Sequence, residues 1–553
     1  MNTSGKGFYI NKKFSYNTKV LNSSITEFEF LKETQNCFVQ FSPINNILLN
    51  NLKQKFNITT FLIRGRIYDQ NNLAKNFEKA IHMLLENENP KFFREIEGDY
   101  TLAIEHNNIL WILNGRCSQY EIFWMYNNSQ FIASNYLHLV SKNTQINYDL
   151  LPILCYGDEV NIYKDLYVLK RNSLLKIDYT KRTCKIKENI IPNLSIFSNK
   201  TTLDEIGEEV HSALLASVKN SLQGSSKSAL LLSGGIDSGA VAKCLQECNA
   251  NTIFYTWSSK NKNVSEYQYS KKIGEFLGYE TVELIIDEPP YDNSLPKHIC
   301  VDYPHTKTVS CWWECAFEQA SKNNIDTIFT GHHGAIIGAP SHYIRNQLGS
   351  FWCNYGVYNL INNKIPLNIT KLPIYKNEKQ IHRGIDIFTV DAQKYLKTNI
   401  LLRSTPAMNT DNYSYLINFS DRFNIPFEDV YLSSRLLDIS YSIPAKFKQK
   451  KYGGFIINKI PLRYSMIGHL PKEIVSRCHS ANLDFMDSQN FKKNLNYYLS
   501  MFKEDSVLVK KGIIDISKIR DMQRKPDSLI DKNRTSILIS LMVENWLSIN
   551  EKI

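Results

Sequence analysis

Ala229-Leu230-Leu231-Leu232-Ser233-Gly234-Gly235-Ile236-Asp237-Ser238-Gly239-Ala240 runs from an apolar segment, through a polar turn with two adjacent glycines, into small residues. That order predicts a buried strand, a tight loop and a helix N-terminus. The first turn of a helix carries N–H groups without intrahelical acceptors and the positive end of the dipole, so the loop suits an anion. Gly234 and Gly235 let the backbone approach a phosphate with no Cβ in the way. Ser233 and Ser238 add hydroxyl donors, and Leu232 carries the strand into the loop. Asp237 would repel a bare phosphate. It fits there only as the ligand of a bridging cation, for which Mg2+ is the expectation. The plainer alternative is an ordinary Gly-Gly turn at a strand end.

The hexapeptide Ser233-Gly234-Gly235-Ile236-Asp237-Ser238, placed after an apolar strand, resembles the pyrophosphate-binding loop of the ATP-pyrophosphatase family. The resemblance implies cleavage of ATP between its α and β phosphates, with AMP placed on the substrate. It also implies that Leu232, Ser233, Gly234, Gly235, Asp237 and Ser238 surround the nucleotide's phosphates. The lysine of a Walker loop is absent, which disfavours γ-phosphate transfer.

The chain has 553 residues, room for two to four domains at roughly 150 residues each. Hydrophobic residues at 43% and charged ones at 22% describe a soluble globular protein. No apolar run is long enough to span a membrane, and the N-terminal residues lack a signal-peptide core. The eleven cysteines form no CxxC pair and no zinc-like spacing with histidine. Reduced thiols in a cytoplasmic protein are expected. The net charge of +11 (65 minus 54) is spread along the chain in short clusters such as Lys446 to Lys451. It suits ATP or an acidic peptide and gives little support to a nucleic-acid surface.

Residues 1–195 read mostly as strands. Thr60 to Tyr68 is rich in β-formers, Asn76 to Glu86 carries apolar residues at helical spacing, and Glu97–Ile104 with Asn108–Leu113 reads as a hairpin. The succession Glu97-Gly98-Asp99-Tyr100, Asn114-Gly115-Arg116-Cys117, Phe131-Ile132-Ala133-Ser134, Tyr156-Gly157 and Ser173 to Ile177 resembles the glutaminase domain of asparagine synthetase B. The resemblance implies an Ntn-hydrolase-like α+β sandwich. A working glutaminase of that family exposes a cysteine as its first residue after Met removal. Here Asn2 follows Met1, and the first cysteine is Cys37. An amide lacks the nucleophilicity of a thiolate, so this half is expected to be silent in glutamine hydrolysis. The same loss is familiar in β-lactam synthetases and lasso-peptide cyclases, relatives that make intramolecular amides.

A boundary is expected near 193–203, leaving 196–553 as an α/β domain with a doubly wound parallel sheet and a helical extension. Thr202 opens a helix through about Leu222. Strands are expected at 251–257, 281–286 and 325–330, with a helix from Ser265-Glu266 to Leu277. Ligands of doubly wound sheets sit at the carboxyl ends of strands, so Thr256, Trp257 and Ser258 are candidates for the adenine wall. Trp257 reads equally well as core.

The fourth strand delivers Gly331-His332-His333-Gly334-Ala335, which resembles the family's Gly-x-Gly-x-Asp segment. His332 stands where asparagine synthetases have Glu and β-lactam synthetases have Tyr; lasso cyclases can have His there. An imidazole near its free pKa of ~6.5 can take a proton from an attacking amine, although a structural hydrogen-bonding role is the plainer reading. Ala335 matches the second metal-binding aspartate, and a methyl group cannot ligate a hard cation. Trp312-Trp313 and Tyr303-Pro304-His305-Thr306 precede this strand; the tryptophans read as helix-face core ahead of a peptide-binding pair.

From about residue 375 the chain reads as mainly helical. Asn424 to Val430 resembles Arg-x-Pro-Phe-Leu-Asp without its arginine. Lys459 with Arg463, Leu470-Pro471 and Arg477 resembles the block that closes the synthetase site, with His479 where a lysine is usual. The resemblance implies that Lys459 steadies negative charge as an amine attacks the acyl-adenylate. Its alternative is a surface lysine at a helix start, where the dipole disfavours it.

The chain is thus identified as a member of the asparagine synthetase B superfamily. The implied activity is AMP-forming carboxylate–amine ligation with ATP and Mg2+. The lost cysteine and His332 together point to a lasso-peptide macrolactam synthetase of antibiotic biosynthesis, with a precursor peptide and a leader peptidase as partners. An ammonia-dependent asparagine synthetase and a non-catalytic ATP- or peptide-binding protein are the alternatives.

Overall fold

Side-chain alternation builds the first half. Its elements in chain order are β1 (Tyr9–Lys13), α1 (Asn46–Phe56), β2 (Thr60–Ile67), α2 (Leu73–Asn87), β3 (Gly98–His106), β4 (Ile109–Asn114), β5 (Ile122–Tyr126), β6 (Gln130–Ser134), α3 (Leu137–Ser141), α4 (Leu151–Tyr156), β7 (Leu166–Leu169), β8 (Ser173–Asp178) and β9 (Thr183–Glu188). They form two antiparallel sheets, ordered β2-β3-β4-β8-β9 and β1-β6-β5-β7. The computed structural model describes residues 9–13, 46–68, 72–119, 121–127, 130–134, 137–141, 144–156, 162–169, 171–188, 196–197, 201–258, 266–285, 310–337, 414–443, 447, 449–452, 455–477, 484–524 and 530–550.

Leu102 and Ile104 of β3 and Trp111 and Leu113 of β4 pack under α2 through Phe77, Ile81 and Leu84. The intervening Ala103, Leu110 and Ile112 face Ile122, Trp124, Phe131 and Ala133 of the other sheet. A period of two thus places one set of residues under the helix and the other between the stacked sheets. Asn107 and Asn108, both at positive φ, make the two-residue turn of the expected β3–β4 hairpin.

The second half continues with α5 (Leu203–Ser221), β10 (Ser228–Leu231), α6 (Ile236–Glu247), β11 (Thr252–Ser258), α7 (Tyr267–Leu277), β12 (Thr281–Ile285), α8 (Ser310–Lys322), β13 (Thr327–Thr330), α9 (Ser414–Phe423), β14 (Phe427–Asp429) and α10 (Ser434–Ser442). A full capping box of Thr202 and Glu205 opens α5. The five strands are all parallel, in the order β12-β11-β10-β13-β14. Leu230, Phe254 and Phe329 face the α5/α6 side, and Ala229, Tyr255 and Ile328 the α8/α9 side. A sheet covered on both faces needs continuous apolar strands, which is why β10 and β13 are buried throughout. The strand order reverses between β10 and β13, a switch point of the kind beyond whose carboxyl ends ligands of doubly wound sheets bind. The fifth strand, β14, was not expected as a strand; three residues are too few for a periodic signal.

The expectation of mainly helical structure holds from Ser414 on among the described residues, with a hairpin as a second departure besides β14. The hairpin β15 (Gln449–Tyr452) and β16 (Phe455–Asn458) leads into α11 (Ile460–Ser465) and α12 (Lys472–Ser476). Then come α13 (Asp484–Ser500), α14 (Val507–Lys510), α15 (Ile516–Arg524) and α16 (Ile530–Asn550). These last helices share a core with the outer face of β5, β6 and β7, through residues such as Ile132, Leu166, Phe491 and Trp546. Among the described residues no helix is long and apolar enough to cross a membrane, and six cysteines are free thiols. Asn2, Cys37, Gly157, Ser265, Tyr303 to Thr306, Lys446, Lys448, His479 and the stretch from 375 to 413 lie outside the described residues.

Candidate active site

Gly235 caps α6 with extended backbone and offers no side-chain acceptor, so the helix's first N–H groups point out of the loop. Gly234 has φ +69°, and a Cβ there would sit 2.8 Å from Tyr269 Cβ. Ser238 Oγ ties the loop together, 3.1 Å from Ser233 N and 3.0 Å from Ser233 Oγ. Ser233 itself is exposed, and Ser238 is buried. The carbonyl of Leu232 accepts from Thr256 Oγ1 at 2.9 Å and from Ser270 Oγ at 3.0 Å. The Thr256 hydroxyl therefore anchors the loop. Ser258, at the end of the same strand, is buried. Trp257 is half-buried; its Nε1 donates to the Trp312 carbonyl at 2.8 Å, and its ring meets Trp313 at 5.0 Å. Trp312 and Trp313 are core residues, as their helical setting suggested.

Asp237, in the first turn of α6, is the junction of the candidate site. Its Oδ2 pairs with Lys459 Nζ. Its Oδ1 is buried and accepts no hydrogen bond among the described residues. Its backbone carbonyl accepts from Tyr431 Oη at 2.9 Å. Burial first, then the nearby Asp237 charge, pushes the Tyr431 pKa well above the usual phenol value, so this hydroxyl stays a donor. Lys459 caps α11 with φ +55°, a left-handed conformation costing a non-glycine residue about 1–3 kcal/mol. Packing around α11 holds it there: Ile460 and Leu462 are buried, and Arg463 donates to the carbonyls of Asn458 and Val475.

The loop after β13 closes on the same carboxylate. A Cβ on Gly331 would lie 2.6 Å from Ser238 N, and one on Gly334 2.5 Å from Asp237 Cγ. Only glycine permits that approach at either position. Between them, His332 turns its ring to Trp313, centroids 4.9 Å apart, and its backbone N donates to Thr330 Oγ1 at 3.4 Å. His333, at φ +58°, pairs through Nδ1 with Oδ2 of the fully buried Asp429 at the end of β14. Ala335 is the second residue of a short 3-10 turn, Gly334–Ile337, and brings no ligand.

Sequence reasoning did not single out Tyr431 or Glu266, and it gave no role to Asp429 or His333 within the segments it recognised. Arg477 belonged to a recognised block without a role. Its Nη1 donates to the Gly234 carbonyl at 3.1 Å, its Nη2 pairs with Glu266, and its guanidinium lies 3.9 Å from the Tyr269 ring centre. These contacts hold the glycine turn from its outer side. Their only sequence signal is charge, which names no partner.

No cluster of three or more His, Cys, Asp or Glu side chains suited to a metal occurs among the described residues. The single open oxygen of Asp237 suits Mg2+ all the same, because Mg2+ keeps several waters and takes one or two carboxylates plus phosphate oxygens.

Residues 209–407 and 425–548 match the family described as asparagine synthase. No curated protein matches the chain. Among solved structures, a glutamine PRPP amidotransferase from B. subtilis complexed with ADP and GMP aligns at 10% identity over 43% of this chain and 42% of its own, with a TM-score of 0.16. The U34-tRNA thiolase NcsA from Methanococcus maripaludis, with its [4Fe-4S] cluster, aligns at 12% identity over 43% of this chain and 85% of its own, with a TM-score of 0.21. An allosteric regulatory enzyme of purine biosynthesis aligns at 8% identity over 43% of this chain and 63% of its own, with a TM-score of 0.16.

Proposed function

Since the chain belongs to the asparagine synthase family, and so is an ATP-dependent amide-forming ligase, we propose that it releases AMP and pyrophosphate and closes an amide within one peptide. The observation that carries this reading is the Lys459–Asp237 pair near the switch point between β10 and β13. It joins the anion-binding turn to a fixed cation, the two groups such a ligation needs.

In the first step a substrate carboxylate oxygen attacks the α-phosphorus of ATP, and the bond to the β-phosphate oxygen breaks. The turn of Ser233, Gly234 and Gly235 and the N–H groups opening α6 receive the departing pyrophosphate. Mg2+ held at Asp237 Oδ1 would neutralise part of its charge when bound. In the second step an amine nitrogen attacks the acyl carbon, the carbon–oxygen bond to AMP breaks, and AMP leaves. Lys459 stabilises the oxyanion of that step; such a fixed donor supplies on the order of 3–4 kcal/mol. His332 takes the proton lost by the amine. Thr256, Trp257 and Ser258 stand on the strand beside the nucleotide.

The finer reading is a lasso-peptide macrolactam synthetase, joining an Asp or Glu side chain to the peptide's N-terminal amine, with residues 1–195 hydrolysing no glutamine and residues 196–553 carrying the synthetase. An imidazole at position 332, suited to deprotonating an amine, supports it. A precursor peptide and a leader peptidase are the implied partners. Ala335, where an acidic ligand is usual, favours a second reading, a non-catalytic protein that binds ATP or peptide.

The test is carboxylate-dependent exchange of pyrophosphate into ATP, with AMP release. Peptides ending in a free amine and carrying an Asp or Glu seven to nine residues on are the substrates to try. Asp237→Ala should lower exchange by about 100-fold or more. Asparagine formed from aspartate, ammonia and ATP would replace the macrolactam reading. ATP binding without exchange on any tested carboxylate would favour the non-catalytic one.

A further inference from the structure

The β14–α10 segment touches both halves of the chain. Glu428 is buried, and its Oε2 accepts from Tyr68 Oη at 2.9 Å and from Ser221 Oγ at 2.9 Å. Tyr68 directly follows β2 of the first half. Six residues on, Ser434 N donates to Glu97 Oε2 at 3.1 Å, and Asp438 pairs with Arg116. Cys117 Sγ lies 3.4 Å from Ser434 Oγ. The next residue along β14, Asp429, points the other way, as strand neighbours must, and holds His333 of the active-site loop. That loop then sets Gly334 against the Asp237 carboxylate.

We propose that the glutaminase-like half buttresses the synthetase site: through Tyr68–Glu428 it holds β14 so that Asp429 keeps the His333–Gly334 turn closed on Asp237. The first half thereby has a use that needs no glutamine chemistry. The functional consequence rests on the nucleotide-site reading above; the buttress itself does not. Tyr68 is a positioning residue, acting through a strand whose two consecutive carboxylates face opposite partners. His333 transmits that position to a turn that already spends strain on its left-handed backbone.

Hydrogen exchange on the full chain tests this without substrate. Tyr68→Phe removes one hydroxyl donor to a buried carboxylate and should speed exchange of the 331–337 amides by about tenfold. The strand amides of 228–231 should stay unchanged. His333→Asn keeps a residue tolerant of left-handed backbone but loses the imidazole link. If Tyr68 works through Asp429 and His333, the double variant should exchange no faster at 331–337 than His333→Asn alone. Additive effects, or unchanged exchange in Tyr68→Phe, would overturn the buttress. Mg-ATP affinity is measured on the same proteins. A wild-type chain that binds no Mg-ATP would refute the nucleotide-site reading, while the exchange result would still judge the buttress.

Discussion

Lys459 and Asp237, 222 residues apart in sequence, form one ion pair at the mouth of the parallel sheet. Both side chains are partly buried, at 17% and 24% exposure, so water screens the pair incompletely. The lysine arrives on a left-handed N-cap behind a hairpin, and the aspartate on the first turn of α6. The two groups with opposite assignments, one for metal and one for oxyanion, thus share a single location.

Lys459→Met separates those assignments. Amide formation should fall by about 100-fold or more, the loss typical of a missing oxyanion donor, while pyrophosphate exchange into ATP survives. Single-turnover assays with radiolabelled pyrophosphate and with peptide distinguish the steps. An equal collapse of exchange would move Lys459 from the second step to the first.

Gly334→Ala places a methyl carbon 2.5 Å from Asp237 Cγ, which forces the loop and the carboxylate apart. Overpacking of this size costs about 1–3 kcal/mol, so nucleotide affinity should weaken by about tenfold or more. Titration calorimetry with Mg-ATP reads the change, and circular dichroism checks that the fold persists. Unaltered affinity would mean that the second loop does not shape the site.

Arg477→Met strips the glycine turn of its outer support, a charged donor on the Gly234 carbonyl. The KM for ATP should rise by about tenfold, with kcat moving less, because the contact orders the loop before chemistry. Initial-rate kinetics at saturating second substrate measure it. A fall in kcat with KM unmoved would place Arg477 in the transition state instead.

Glu97→Gln reports on the contact between the two halves. Burial, the largest influence, raises the Glu97 pKa above the usual carboxylate value, against the lowering effect of the Ser434 N–H. The folded protein therefore binds this proton more tightly than the unfolded one. The associated stability is complete below the unfolded pKa and is lost as pH rises through the folded value. A glutamine keeps an acceptor oxygen and never ionises. The variant should match the wild type near pH 4 and melt a few degrees higher at pH 7. Thermal scans across that range check it; a variant whose deficit grows with pH would contradict the assignment.

Local order was legible from residue order. The apolar run into Ser233-Gly234-Gly235 marked strand, loop and helix start, because backbone preference and side-chain period act over a few residues. The β-forming runs of β3 and β4 marked a hairpin for the same reason. Lys459, His332 and Arg477 were visible as spaced chemistry. Their partners were not: Asp237, Trp313 and Gly234 are brought to them by packing, and no periodic pattern encodes contacts across two hundred residues.

The chain's own order thus sufficed for the glycine turn between strand and helix and for the βα alternation around it, and a family resemblance implied the sandwich before it. Three-dimensional packing alone chose that β14 completes the sheet, that the last helices cover the first half, and that Glu428 and Asp429 look in opposite directions. The reason is one of range. Hydrogen-bonding geometry and hydrophobic period are properties of neighbours, whereas the burial of a carboxylate depends on every segment that folds against it.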